Sequence, residues 1–219
     1  ISYYNHFSTD MTRTYFVVNY LKQIRDKYDR IFFFDSYDVF FESDPFQYFT
    51  EKKLYFFQES LFTINQDPCD RWWMTNCYNK SVLKTVGDQL FVCSGTVGSG
   101  SIDKFIKLYS IIDAENKWKK CRVDQAPLNF LIYSGKLTAN NLSYHIFDQA
   151  GPVLTLNLAV KYYVKINGYT FVYNALNKTP AILHKTKNNA NFQKSLYKRC
   201  QNVLLKYDGK SNIIKNLVT

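Results

Sequence analysis

Arg30-Ile-Phe-Phe-Phe-Asp35-Ser-Tyr-Asp38-Val-Phe-Phe-Glu-Ser-Asp44-Pro45-Phe46 is the stretch on which the reading of the fold turns. Residues 31–34 are continuously apolar, the pattern of a strand covered on both faces, as in a parallel sheet flanked by helices. The run stops on acidic residues and then turns away. Sheets of that kind bind ligands outside the carboxyl ends of their strands. Carboxylates at such a strand end are placed to hold a divalent cation, because hard cations prefer oxygen ligands. The plainer alternative is that these acids cap a turn or a following helix, and Asp44-Pro45 is a turn signal in its own right.

Outward from this stretch, residues 11–28 read as an amphipathic helix with Phe16, Val17, Tyr20, Leu21, Ile24 and Tyr28 on one face and Asp10 as its cap. Residues 54–57 read as a second strand and residues 58–88 as an irregular excursion containing Trp72 and Trp73. Residues 89–93 form a further strand that runs into Ser94-Gly95-Thr-Val-Gly98-Ser-Gly100-Ser101. This segment is neither a dinucleotide fingerprint nor a P-loop, so its glycines serve a tight turn or a close backbone approach. Helices are expected at 102–112 and 124–133, the latter with Pro127 in its first turn and Gly135 at its C-terminal cap. Short strands follow near 144–147, 169–173 and 181–183, and residues 192–205 read as a basic, partly amphipathic helix. Alternating strands and helices give an α/β fold with a mostly parallel central sheet flanked by helices. An N-terminal strand or two is expected before Ile1, and residues 1–219 are read as one domain.

Composition narrows the function classes. The aromatic fraction is 18%, and exposed aromatic rings stack on sugars or bases. The formal charge is +10, which favours anionic partners such as nucleotide phosphates, acidic glycans or lipids. Its basic clusters are Lys117, Lys119, Lys120 and Arg122 around Trp118, and residues 185–199. No nucleic-acid motif accompanies them, so a nucleic-acid partner is not expected. No apolar run of about 18 residues is present, so a membrane is reached only through an anchor outside this chain. Among the five cysteines no CxxC pair occurs, and Cys69 and Cys77 are placed for a short disulfide. With sequons at Asn79, Asn141 and Asn177, this points to a secretory compartment.

Four segments, Met11-Thr-Arg13-Thr-Tyr15, Phe33-Phe-Asp35-Ser-Tyr-Asp38-Val-Phe-Phe, Cys93-Ser94-Gly95-Thr-Val-Gly98 and Asp124-Gln125-Ala-Pro-Leu-Asn129-Phe-Leu, precede His184 in Ile182-Leu-His184-Lys185. In that order they resemble GT-A glycosyltransferases of the glycogenin-like, nucleotide-diphospho-sugar type. The resemblance implies a Rossmann-like GT-A fold and roles at the matching positions. Asp38, Asp35 (or the backbone beside it) and His184 would hold Mn²⁺ or Mg²⁺. Arg13 would face the donor's phosphates or sugar, and Ser94 and Gly95 would lie along the donor sugar. Asp124 and Gln125 would bind sugar hydroxyls at the reacting centre, and Lys185 would touch the diphosphate. The acidic motif here is Asp-x-x-Asp, so its carboxylates reach one ion only if the chain bends at Ser36-Tyr37, since residues i and i+3 of a strand point to opposite faces.

The resemblance thus implies a metal-dependent enzyme of the Golgi lumen. It would move a sugar from a UDP-type donor to a hydroxyl of a glycan, protein or lipid, mostly with retention. The alternative is a non-catalytic protein that binds anionic glycans or a nucleotide sugar. The plainer roles are a packed His184, a solvated Arg13 and an Asp124 that only caps its helix.

Overall fold

The computed structural model describes residues 9–36, 38–115, 123–156, 161–166, 169–186, 192–196 and 198–199. In chain order, α1 (Thr9–Ile24) leads to β1 (Ile31–Phe34), β2 (Val39–Phe41) and β3 (Leu54–Thr63). Then come α2 (Pro68–Cys77), α3 (Lys80–Val86), β4 (Leu90–Ser99), α4 (Ile102–Ala114), α5 (Gln125–Tyr133) and α6 (Lys136–Ala139). The strands β5 (Tyr144–Phe147), β6 (Val153–Thr155), β7 (Tyr162–Ile166), β8 (Tyr169–Tyr173) and β9 (Ile182–His184) complete them. Residues 192–196 and 198–199 are helical.

Among the described residues three small sheets form. The largest has the order β1-β4-β3-β5, the second β2-β9-β6, and β7 and β8 make a hairpin. Pairs β1–β4, β3–β4, β2–β9 and β7–β8 are antiparallel, whereas only β3–β5 and β6–β9 are parallel. The expected mostly parallel central sheet is therefore corrected to small, mixed and mostly antiparallel sheets, and the Rossmann-like GT-A arrangement implied by the resemblance does not hold. The reason is physical. A continuous apolar run reports cover on both faces, not strand direction. Here both faces of the main sheet are covered although two of its three strand pairs are antiparallel. Leu54 and Phe56 face the helical side with Val18, Phe105, Leu108 and Leu128. Tyr55 and Phe57 face an aromatic cluster with Phe32, Phe49, Val153 and Ile182. Phe49 stacks on Tyr55 at 5.0 Å between ring centroids and on Phe32 at 5.8 Å. β1 is an edge strand and is only partly covered, with Phe34 exposed.

Other elements also depart from the sequence reading. α1 buries Thr14, Val18 and Leu21, while Phe16, Tyr20 and Tyr28 are exposed. Thr14, polar and so left out of the apolar stripe, lies on the packing face. Asp10 falls inside the helix rather than before it. The supposed irregular segment 58–88 holds the end of β3 and helices α2 and α3. Asp67 caps the first of these through the Cys69 and Asp70 amides, and Asn79 caps the second. Residues 94–99 of the Gly-rich segment are not a turn but the second half of β4, fully buried. Gly98 lies opposite Phe32 and Tyr55, where a Cβ would come within 2.6 Å of the Phe49 ring. Gly135 does sit just past α5 with φ 77°, the left-handed geometry expected of it. Cys69 is free and Cys77 is disulfide-bonded, so the expected Cys69–Cys77 bridge does not form. The basic cluster around Trp118, and residues 201–205 of the expected C-terminal helix, lie outside the described residues.

Asp70, in the first turn of α2, is buried, and burial together with the nearby Asp67 pushes its carboxyl up to about 8. It is held protonated at neutral pH, whereas in the unfolded chain it ionises. The folded form thus binds the extra proton, and the stability Asp70 permits is lost as pH rises towards 8. Urea unfolding of wild type and Asp70→Asn should agree near pH 4. By pH 8 the variant should be the more stable by roughly 2 kcal/mol, after discounting for solvent access.

Candidate metal centre

The centre forms where the chain changes sheets. β1 ends at Phe34, and the Asp35 amide donates to the Gly95 carbonyl of β4 at 2.9 Å. A turn at Ser36 follows, and the chain re-enters the second sheet as β2, where Val39 lies opposite His184 of β9. This is the bend that the Asp-x-x-Asp spacing demanded. It sets Asp35, Asp38 and His184 together, each with one ligand atom within 4.8 Å of the others. Two ligands on opposite sides of one cation, each about 2.1–2.4 Å away, span a similar distance.

His184 is fully buried. Its Nδ1 faces Thr155 Oγ1 at 3.4 Å and Cys93 Sγ at 3.7 Å. Its Nε2 makes no hydrogen bond and lies 3.7 Å from Asp35 Oδ2 and 3.6 Å from Asp38 Oδ1. With the proton on Nδ1, the Nε2 lone pair is directed at two carboxylates. That is costly with nothing between them and correct for a shared cation. Burial pushes the Cys93 thiol up to about 12, so it packs against the imidazole as a neutral group.

Around this core the structure brings together the residues that the resemblance marked. Arg13 Nη1 donates to Asp35 Oδ1 at 2.5 Å, and its Nε and Nη2 donate to Asp124 Oδ2 at 3.0 and 2.8 Å. Arg13 is thus a half-buried clamp held by two carboxylates and not a solvated helix residue. Burial opposes its charge, but Asp124 and Asp35 outweigh that and hold it firmly protonated. Burial likewise opposes ionisation of Asp35, yet the charged Arg13 guanidinium beside it helps hold its carboxyl below the usual range. Asp124 stands at the N-cap position of α5 without capping it, since its carboxylate is turned to Arg13 and to Ser94 Oγ, the latter at 2.8 Å. Gln125 Oε1 accepts from the Ser94 amide and hydroxyl at 3.0 and 2.9 Å. Asn129 clamps the β4 backbone at Val92 through both its amide oxygen and nitrogen. Lys185 follows His184 with φ 57°, a left-handed conformation uncommon for a lysine, and pairs with Glu59.

Glu59 was not singled out in the sequence. It is buried on β3 and also accepts from Gln125 Nε2 at 2.8 Å. A carboxylate in the middle of an apolar strand was the signal available. Trp73 of α2 lines the same cavity as Arg13, Ser94, Asp124 and His184, while its neighbour Trp72 points elsewhere. The cavity measures about 170 Å³. Among the described residues, Arg13 pairs with Asp35 and Asp124, Lys185 pairs with Glu59, and Asp38 lies beside His184. No family model and no curated protein matches the chain.

Gly95 makes the centre geometrically possible. A Cβ there would lie 2.4 Å from Asp35 Oδ2 and 3.3 Å from His184 Cε1. Gly95→Ala should therefore weaken Mn²⁺ binding, followed by titration of the Mn²⁺ EPR signal, by at least about tenfold. Gly98→Ala collides with Phe49 instead, so it should lower the melting temperature and leave Mn²⁺ affinity unchanged.

Proposed function

We propose that this protein is a metal-dependent glycosyltransferase that moves a sugar from a nucleotide-diphosphate donor, of the UDP-sugar class, to a hydroxyl acceptor. The observation that carries this reading is the convergence of Asp35, Asp38 and His184 beside two fixed cations and a polar Ser94–Asp124–Gln125 array in one cavity. Two carboxylates and one imidazole fit Mn²⁺ better than Mg²⁺, which seldom accepts nitrogen. A cation bound there would act as a Lewis acid on the departing diphosphate.

The chain's own residues supply the rest. Arg13, held by two carboxylates, presents fixed positive charge towards the phosphate side, and Lys185 does the same from the loop after β9. Asp124 and Gln125 orient sugar hydroxyls, with Glu59 and Ser94 fixing their rotamers. Trp73 gives an apolar wall on which the sugar ring rests. The cavity is small beside ordinary ligand pockets of about 300–1,000 Å³. It would therefore take the sugar–phosphate end of the donor, with the nucleoside lying outside. Each of its carboxylates is tied to a cation or faces the metal position, which leaves none as the base an inverting attack needs and favours retention. The disulfide-bonded Cys77 and the exposed sequon residues Asn79, Asn141 and Asn177 support a secretory location such as the Golgi lumen.

Thermal unfolding with Mn²⁺, with UDP and with both tests the reading. Both together should stabilise the protein well beyond either alone, with UDP at 100 times its dissociation constant for the Mn²⁺-loaded protein adding about 2.7 kcal/mol to the effect of Mn²⁺. Asp38→Asn should abolish the joint effect and the turnover of UDP-sugars. A wild-type protein that binds Mn²⁺ but shows no added stabilisation from UDP would contradict the diphosphate donor while leaving the metal centre standing. Joint stabilisation without turnover of any nucleotide sugar would contradict the enzymatic step alone.

A further inference from the structure

A second, larger cavity of about 540 Å³ opens between α2 and α3, away from the metal centre. Arg71, Lys80 and Lys84 line it, and none of them pairs with a carboxylate among the described residues. No Asp or Glu is among its lining residues. On the same helix, Asp67 is engaged as a cap and Asp70 is buried. Trp72 stands in this groove with 61% of its surface exposed, an unusual exposure for so large an apolar ring. Asn65 and Asn76 also line the groove.

We propose that this groove binds an anionic oligosaccharide, a chain of sugars bearing sulfate or carboxylate groups. An exposed indole offers an apolar face to the C–H side of a sugar ring, and flanking amides match its hydroxyls. Three unpaired cations around that ring select for negative charge on the sugar. Nucleic acid fits less well, because single strands are held on successive aromatic platforms and this groove presents one ring. A lipid surface fits less well still, because interfacial binding needs a broad apolar face that inserts, and the groove is concave and polar at its rim. The site stands independently of the metal centre. Trp73, the next residue along α2, lines the metal-centre cavity, so one helix borders both.

Isothermal titration with a sulfated octasaccharide, its desulfated counterpart, a single-stranded DNA of equal charge and phosphatidylserine vesicles tests this. The sulfated chain should bind, with the desulfated one at least tenfold weaker. Trp72→Ala and the double variant Lys80→Gln/Lys84→Gln should each lose about tenfold, and Trp72→Phe should recover most of the first loss. All these side chains are exposed, so the variants should melt as wild type does. Asp38→Asn should bind the octasaccharide as wild type does, which separates this site from the metal centre. Unchanged affinity in the Trp72 and lysine variants would overturn the assignment. So would equal binding of the desulfated chain, or equally tight and equally Trp72-dependent binding of the DNA or the vesicles.

Discussion

The chain must leave one sheet and enter another within the few residues between Phe34 and Val39. β1 is hydrogen-bonded to β4, and β2 is hydrogen-bonded to β9. The link is too short to wander, so its two carboxylates are held at the junction of the sheets, and β9 delivers His184 to the same point. A strand end alone would have sent Asp35 and Asp38 to opposite faces. The change of sheet turns a sequence spacing that suits no strand into a compact ligand set. The rest of the site is arranged to tolerate it: Gly95 yields space, Arg13 bridges Asp35 to Asp124, and α5 carries Gln125 over β4.

Charge explains why so many partners surround that junction. Several of these carboxylates are nearly inaccessible, and a buried ionised carboxylate needs a counter-charge or hydrogen bonds. Arg13 serves two of them and Lys185 a third. Beside them lies a buried imidazole nitrogen that makes no hydrogen bond among the described residues. A site with that balance is unfavourable to build without a function, since replacing a buried ion network by apolar side chains is often neutral or stabilising.

The site residues were marked by the resemblance at matching positions, beyond what residue types alone single out. Arg13, Asp35, Asp38, Ser94, Asp124, Gln125, His184 and Lys185 were all marked, and all of them meet. The sheet could not be read in the same way. Apolar runs such as residues 31–34 and 54–57 report burial, and an antiparallel sheet covered by helices on one face and aromatic rings on the other leaves the same trace as a parallel one. Glycines that create space across a strand, as Gly95 and Gly98 do, look in sequence like glycines of a turn. Glu59 escaped notice because its partners, Gln125 and Lys185, are 66 and 126 residues away. The disulfide failed for a related reason: Cys69 and Cys77 are near in sequence, but α2 holds them at its two ends.

Pulsed EPR of Mn²⁺ bound to the protein addresses the central claim most directly, because nitrogen from a coordinated imidazole modulates the electron-spin echo. The account predicts modulation from one imidazole in the wild-type protein, absent in His184→Gln, together with loss of tight binding in Asp38→Asn. Tightly bound Mn²⁺ that shows no nitrogen coupling in the wild-type protein would place the ion elsewhere and contradict the assignment of this centre.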